Sequence, residues 1–198
     1  MSLLPLSING AWVIEPKMHF DSRGRFHEVF KQIEIENNFG RKFEVLQVNQ
    51  SVSAAGVIRG IHWADTPPGQ GKYVSCSSGS IWDVVVDLRL GSATFGKWEA
   101  AVLSKENARS MFISEGLGHA FLALEDDTVV TYLCSQPYSP ETERTINPLD
   151  ETLAIDFSGI APVGTQFEIS DKDLGALSLK DMELSGKLPS LAGSLFSL

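Results

Sequence analysis

The chain has 198 residues, 43% hydrophobic and 21% charged, the balance of an ordinary soluble globular protein with one well-buried domain. Its formal net charge of −9 argues against nucleic acid and against an anionic membrane surface as partners. The opening MSLLPLSING has neither a basic stretch nor an apolar run long enough for a signal or a membrane span.

In chain order, Ala11 to His19 and Gly24 to Phe30 read as strands around a polar Asp-Ser-Arg-Gly turn, and Lys31 to Phe39 as a short helix. Phe43 to Ser53 alternates, with Gln47, Asn49, Ser51 and Ser53 on one face and Leu46, Val48 and Val52 on the other. Such a polar face meets either solvent or a polar cavity. Ile81 to Arg89 alternates more sharply, Trp82, Val84, Val86 and Leu88 opposing Asp83, Asp87 and Arg89. Further short strands are expected at Lys97 to Leu103, Ser110 to Ile113, Phe121 to Leu124 and Thr128 to Ser135. Short strands spaced by turn signals argue for an all-β sandwich or barrel. Cys76 and Cys134 sit in strand-like runs and read as small buried hydrophobes of a reducing compartment, the cytosol, rather than as a disulfide. Near the end, Ser170-Asp171-Lys172-Asp173 can cap a helical segment, and Leu174 to Leu188 is apolar at mixed helical spacing, broken by Gly175, Gly186 and Pro189.

The densest chemistry lies in Gly56-Val57-Ile58-Arg59-Gly60-Ile61-His62-Trp63 and, after a Pro67-Pro68-Gly69-Gln70 turn, Lys72-Tyr73-Val74. This hairpin-like unit carries two fixed cations and one group that titrates near neutrality, the mixture needed to hold an anion and move a proton. Ordinary polar residues on a surface hairpin would read the same. Eight of the sixteen Lys and Arg lie at or before Lys72, so positive charge concentrates locally in an acidic chain. Arg59 and His62 differ by three and would face opposite ways on a regular strand; both reach one cavity only if the strand bulges, and Gly60 is the expected place.

This stretch resembles the signature of the dTDP-4-dehydrorhamnose 3,5-epimerase family, which runs RGLH, a PP-x-Q turn and K-Y/L-V. The resemblance continues in order through Asp21-Ser22-Arg23-Gly24-Arg25-Phe26-His27-Glu28, Gln47-Val48-Asn49 and Asp83-Val84-Val85-Val86-Asp87-Leu88-Arg89. Beyond these come Ser92 to Gly96, Glu115-Gly116-Leu117-Gly118-His119-Ala120-Phe121, Tyr132-Leu133-Cys134, Tyr138-Ser139-Pro140 and Ser170 to Asp173. It covers roughly residues 8 to 173, leaving 174 to 198 as a tail on a single domain. It implies a cupin-type jelly roll with short helices, mainly near the C-terminus.

The implied reaction is epimerisation of a dTDP-linked 4-keto-6-deoxy-hexose at C3 and C5, whose protons flank the ketone and are therefore acidic. Removing one calls for a base, an enolate stabiliser and an acid on the far side. By family position His62 is the base, Asp173 its carboxylate partner, Lys72 the enolate stabiliser and Tyr132 the proton donor. Lys180-Asp181 is worded much like the Asp173 motif, and Asp171 lies close by, so the partner of His62 is open among these. Arg23, Arg59, Gln47 and Asn49 match positions that contact the nucleotide-sugar, Glu28, Tyr138 and Glu143 match positions near base and sugar, and His119 falls in the family's Gly-x-x-His-Gly-Phe motif. There the chain departs, with Ala120 for Gly and Gly118 where Ala is usual, which leaves open which carbons are inverted.

No cofactor or metal is expected: His19, His27, His62 and His119 include no pair at ligand spacing, and a site needs at least three convergent ligands. The family also implies a homodimer whose N-terminal strands complete the partner's site. The rival readings are a C3-only or C5-only epimerase, a non-catalytic sugar-binding cupin, and a metal-dependent cupin oxygenase.

Overall fold

The computed structural model describes residues 1–193. Fourteen strands dominate. The N-terminal third holds β1 Ser2–Pro5, β2 Ala11–Glu15, β3 His19–Asp21, β4 Gly24–Phe26, helix α1 Gln32–Phe39, β5 Gln47–Ser53 and β6 Val57–Ala64. The middle holds β7 Lys72–Ser78, β8 Ser80–Asp87, β9 Trp98–Ser104, β10 Ser110–Ile113, β11 Leu117–Ala123, β12 Thr128–Cys134 and β13 Glu143–Thr145. The remainder is α2 Phe157–Ile160, β14 Glu168–Ile169, α3 Asp171–Leu174 and α4 Leu179–Leu184.

Two sheets face each other. One runs β1-β2-β10-β7-β12-β5; the other runs β13-β6-β11-β8-β9, with β14 laid parallel on β6, and β3-β4 form a separate hairpin. This is the jelly-roll sandwich. Its interior is packed from both sheets by Val74, Met111 and Val130 on one side and Ile81, Val85 and Phe121 on the other. Each such fully buried side chain contributes about 1.5–3 kcal/mol of transfer free energy.

The outer faces are covered as well. Helix α1 ends at Gly40 in the left-handed region (φ 67), and buries Ile35 against Ile14, Phe43 and Phe112. On the other sheet Leu179, Met182 and Leu188 of the tail pack over Val84, Val86 and Leu88. That cover explains why β8 is buried on both faces although it alternates in sequence: Asp83 and Asp87 turn away from bulk water and are themselves fully buried. Asp87 is held by Arg89 at 2.8 Å and by the hydroxyls of Ser92 and Thr94 at 2.6 Å.

Several strands are shorter than the pattern suggests. The first stops at Glu15, because Pro16 has no N–H for a ladder. The second stops at Phe26, and the strand expected from Phe43 begins at Gln47.

Candidate active site

A cavity of about 450 Å³ opens between the two sheets. From β6 and β11 it receives Arg59, His62, His119 and Phe121; from β5, β7 and β12 it receives Asn49, Ser51, Lys72, Tyr132 and Cys134. The polar face of β5 therefore meets the cavity at Asn49 and Ser51, and Asn49 is exposed to solvent as well.

Arg59 and His62 share the cavity because β6 bulges. His119 pairs with His62 and Phe121 with Arg59, so two steps on β11 oppose three on β6. Gly60 supplies the turn with φ 123, and a Cβ there would fall 2.5 Å from that of Ala120. Ala120 faces the outer core, and a Cβ on Gly118 would meet Ile61 at 2.6 Å and Leu88 at 2.8 Å. Both departures from the family wording thus concern packing around the bulge on the side away from the cavity.

His62 Nε2 lies 2.7 Å from Asp173 Oδ1. An ionised carboxylate can only accept, so Nε2 carries the hydrogen it donates and Nδ1 remains the free basic nitrogen. Asp173 itself is fixed by the Ser170 cap, whose Oγ accepts from the Asp173 N–H at 3.1 Å, and by the docking of α3 behind β14 on β6. Burial works to raise the Asp173 pKa, but the His62 hydrogen bond and charge, the Gly60 N–H and Ser170 outweigh it and hold the carboxyl below its ordinary range. Asp181 is elsewhere, exposed on α4 with its N–H bonded to Ser178 Oγ, and Asp171 is exposed at the start of α3.

Beside His62, His119 Nε2 lies 2.6 Å from Asp83 Oδ1, a fully buried carboxylate. Lys72, half-buried, has no carboxylate ion pair among the described residues, and burial lowers its pKa against the raising influence of Cys134, Glu143 and Asp83. An unpaired ammonium in a water-poor cleft is placed to meet negative charge on a ligand. Tyr132 enters from the opposite sheet, edge-on to the His119 ring at 6.1 Å, with its hydroxyl 3.1 Å from Ser51 Oγ. Burial pushes its phenol well above the usual value.

The expected binding residues divide. Arg59 donates from Nε to Ser53 Oγ at 3.2 Å and from Nη2 to the Val52 carbonyl at 3.4 Å, and with no carboxylate partner among the described residues its Nη1 is left for an anion. Tyr138 and Glu143 stand at the cavity mouth, and Gln47 ties this rim together, bonding Asn49 and accepting from the Tyr138 N–H at 2.8 Å. Arg23 and Glu28 do not join. Arg23 is 87% exposed and paired with Asp21 in the β3–β4 hairpin, and Glu28 pairs with Lys31. Two functional neighbours were not singled out from the sequence, Asp83 and Ser51; the first sat in view as the inward acid of an apolar strand. Among the described residues no three His, Cys, Asp or Glu side chains converge as a metal-ligand set.

With this geometry in hand, comparison with known proteins is specific. The dTDP-4-dehydrorhamnose 3,5-epimerase family model matches residues 5–181. A dTDP-4-dehydrorhamnose 3,5-epimerase of Mycolicibacterium smegmatis is 48% identical, over 97% of this chain and 92% of its own. The structure of the Mycobacterium tuberculosis rmlC epimerase superposes with a TM-score of 0.90 at 47% identity, covering 96% of this chain and 94% of that one. ChmJ from Streptomyces bikiniensis, a 3'-monoepimerase solved with dTDP-quinovose, gives 0.91 at 45% identity over 96% and 94%. A jelly roll that pairs His62 with Asp173 and faces it with Tyr132, matched to these relatives along nearly its whole length, belongs to the dTDP-4-dehydrorhamnose 3,5-epimerase family.

Proposed function

We propose that the protein is an isomerase that converts dTDP-4-dehydro-6-deoxy-D-glucose to dTDP-4-dehydro-L-rhamnose by inverting C3 and C5. The observation that carries this reading is the placement of His62 and Tyr132 on opposite sheets, both lining one cavity. A sugar ring between them has a base on one face and an acid on the other.

His62 takes the proton next to the ketone, and the C–H electron pair moves into an enolate. The Lys72 ammonium, which lines the same cavity as His119, meets the charge on the enolate oxygen. Tyr132 returns a proton to the carbon on the opposite face, leaving imidazolium on one side and phenolate on the other. The step needs no metal, because Lys72 supplies the positive charge. Arg59 holds the diphosphate. Arg23 and Glu28, on and just beyond a hairpin with Phe20 75% and Phe26 68% exposed, complete the cleft of a second copy in a homodimer. The two buried free cysteines suit a reducing compartment, the cytosol.

The likeness to a 3'-monoepimerase keeps C3-only inversion as the second reading. Incubation with the 4-keto-6-deoxy-glucose nucleotide in D2O, followed by proton NMR, separates them: deuterium and inversion at both carbons support the first reading, at C3 alone the second. In Tyr132→Phe we expect deuterium to enter with retained configuration through His62, while inversion falls by about 10²-fold or more. If exchange and inversion fall together, Tyr132 holds the substrate instead; normal inversion would remove it as the acid.

A further inference from the structure

Each inversion leaves Tyr132 as a phenolate in a site where burial raises the phenol, outweighing the Ser51 hydrogen bond and the Arg59 charge that lower it. The acid must regain a proton before it can act again. The base has its own exit, as the His62 side chain is 25% exposed. Tyr132 is half-buried, and among the described residues its hydroxyl has one hydrogen-bond partner, Ser51 Oγ. His119 is the nearest ring, but its Nε2 is bound to Asp83.

Ser51 is suited to pass a proton. It is half-buried on β5, an edge strand of its sheet, between the exposed residues Gln50 and Val52. A hydroxyl donates one hydrogen while accepting another, so it can relay without holding charge. Nothing in the packing asks for serine there; the apolar interior begins at its cross-strand neighbour Val130.

We infer that Ser51 reprotonates Tyr132 between inversions, linking the half-buried phenol to water. The Ser51 O–H proton moves to the phenolate oxygen as a water proton moves to Ser51 Oγ. The hydroxide left in solvent is neutralised by the proton that His62 releases, so the cycle closes without net gain or loss. This inference rests on the reading of Tyr132 as the acid. The first inversion uses the proton already on Tyr132, and every later one depends on the relay.

The test is rapid-quench turnover of Ser51→Ala, Ser51→Thr and Tyr132→Phe, with products resolved by NMR. Ser51→Ala should give a burst of one inversion per site, then a phase slowed by about tenfold or more. For an enzyme acting at two carbons, singly inverted sugar accumulates. Ser51→Thr, which keeps the hydroxyl, should restore the wild-type course, and Ser51→Cys, close in size, provides the comparison if the Ala variant unfolds. A Ser51→Ala course like wild type, with Tyr132→Phe blocked, overturns the relay alone. Normal inversion by Tyr132→Phe overturns the acid assignment, whatever Ser51 does.

Discussion

Replacing Asp173 with Asn isolates what the carboxylate does for the base. The side chain is 5% exposed and sits 2.7 Å from His62 Nε2. Charge centres about 4 Å apart interact by about 4 kcal/mol at an effective dielectric near 20, and by about 1 kcal/mol in bulk water. The His62 side chain is 25% exposed, which screens the pair and places the loss between those limits. We expect about 2–3 kcal/mol, roughly 30- to 150-fold in proton abstraction. An amide that turns its N–H₂ toward Nε2 adds to the loss by moving the imidazole hydrogen to Nδ1, the nitrogen the reaction needs free. The assay is deuterium entry from D2O at saturating substrate, with Asp181→Asn as control. Asp181 caps a helix in solvent, so its variant should stay within about twofold. A loss below about threefold in Asp173→Asn, or an equal loss in Asp181→Asn, would refute the reasoning.

The same Asp173 variant should have a flatter acid limb of stability. A carboxyl held below its ordinary value contributes stability that is fully present above about pH 4 and is lost as pH falls through the folded value. Chemical denaturation between neutral pH and the acid transition reads the difference in slope. For Lys72, whose pKa burial lowers, the rate should decline on the alkaline side before the ordinary lysine value of about 10.4, as the ammonium loses its charge. Lys72→Arg should move that limb upward, and Lys72→Ala should cut turnover by about 10²–10³ while dTDP binding by calorimetry largely survives. Loss confined to binding would assign Lys72 to the phosphates. Gly60→Ala forces a Cβ into Ala120 at φ 123 and should cost about 2–4 kcal/mol, a fall in Tm of about 5–15 °C, with activity falling alongside as the bulge is lost. An unchanged Tm would mean that the bulge relaxes freely.

Much of the site was legible because its wording is local. Arg59, Gly60 and His62 lie within four residues, and the need for a bulge at Gly60 follows from strand periodicity alone. The pairing of His62 with Asp173 spans 111 residues and rested on family resemblance among three nearby acids; only the docking of β14 on β6 distinguishes them physically. Asp83 was named on the polar side of its strand but not as a site residue, for a different reason. Alternation set it opposite Trp82 and Val84, which ordinarily means solvent, and the fold instead covers both faces of β8. Ser51 was seen as one of four polar residues on a face, but its tie to Tyr132 depends on the register between β5 and β12, which no local pattern encodes. Arg23 and Glu28 lie away from the cavity, on and just beyond the β3–β4 hairpin, where they pair with Asp21 and Lys31.

The carboxylate beside the base arrives with the two-residue strand β14 and the turn of α3, not with the strands that build the cleft. Arg59, Lys72, Tyr132 and His119 are in place once the two main sheets have closed. The carboxylate partner of His62 therefore comes from a stretch of polypeptide separate from the strands that carry Arg59, His62, Lys72 and Tyr132. A barrel with residues 168–173 undocked keeps the lining of its cavity while His62 loses its carboxylate partner. Synthesis from the N-terminus delivers that carboxylate after the strands that line the cavity and just before the covering residues Leu179, Met182 and Leu188.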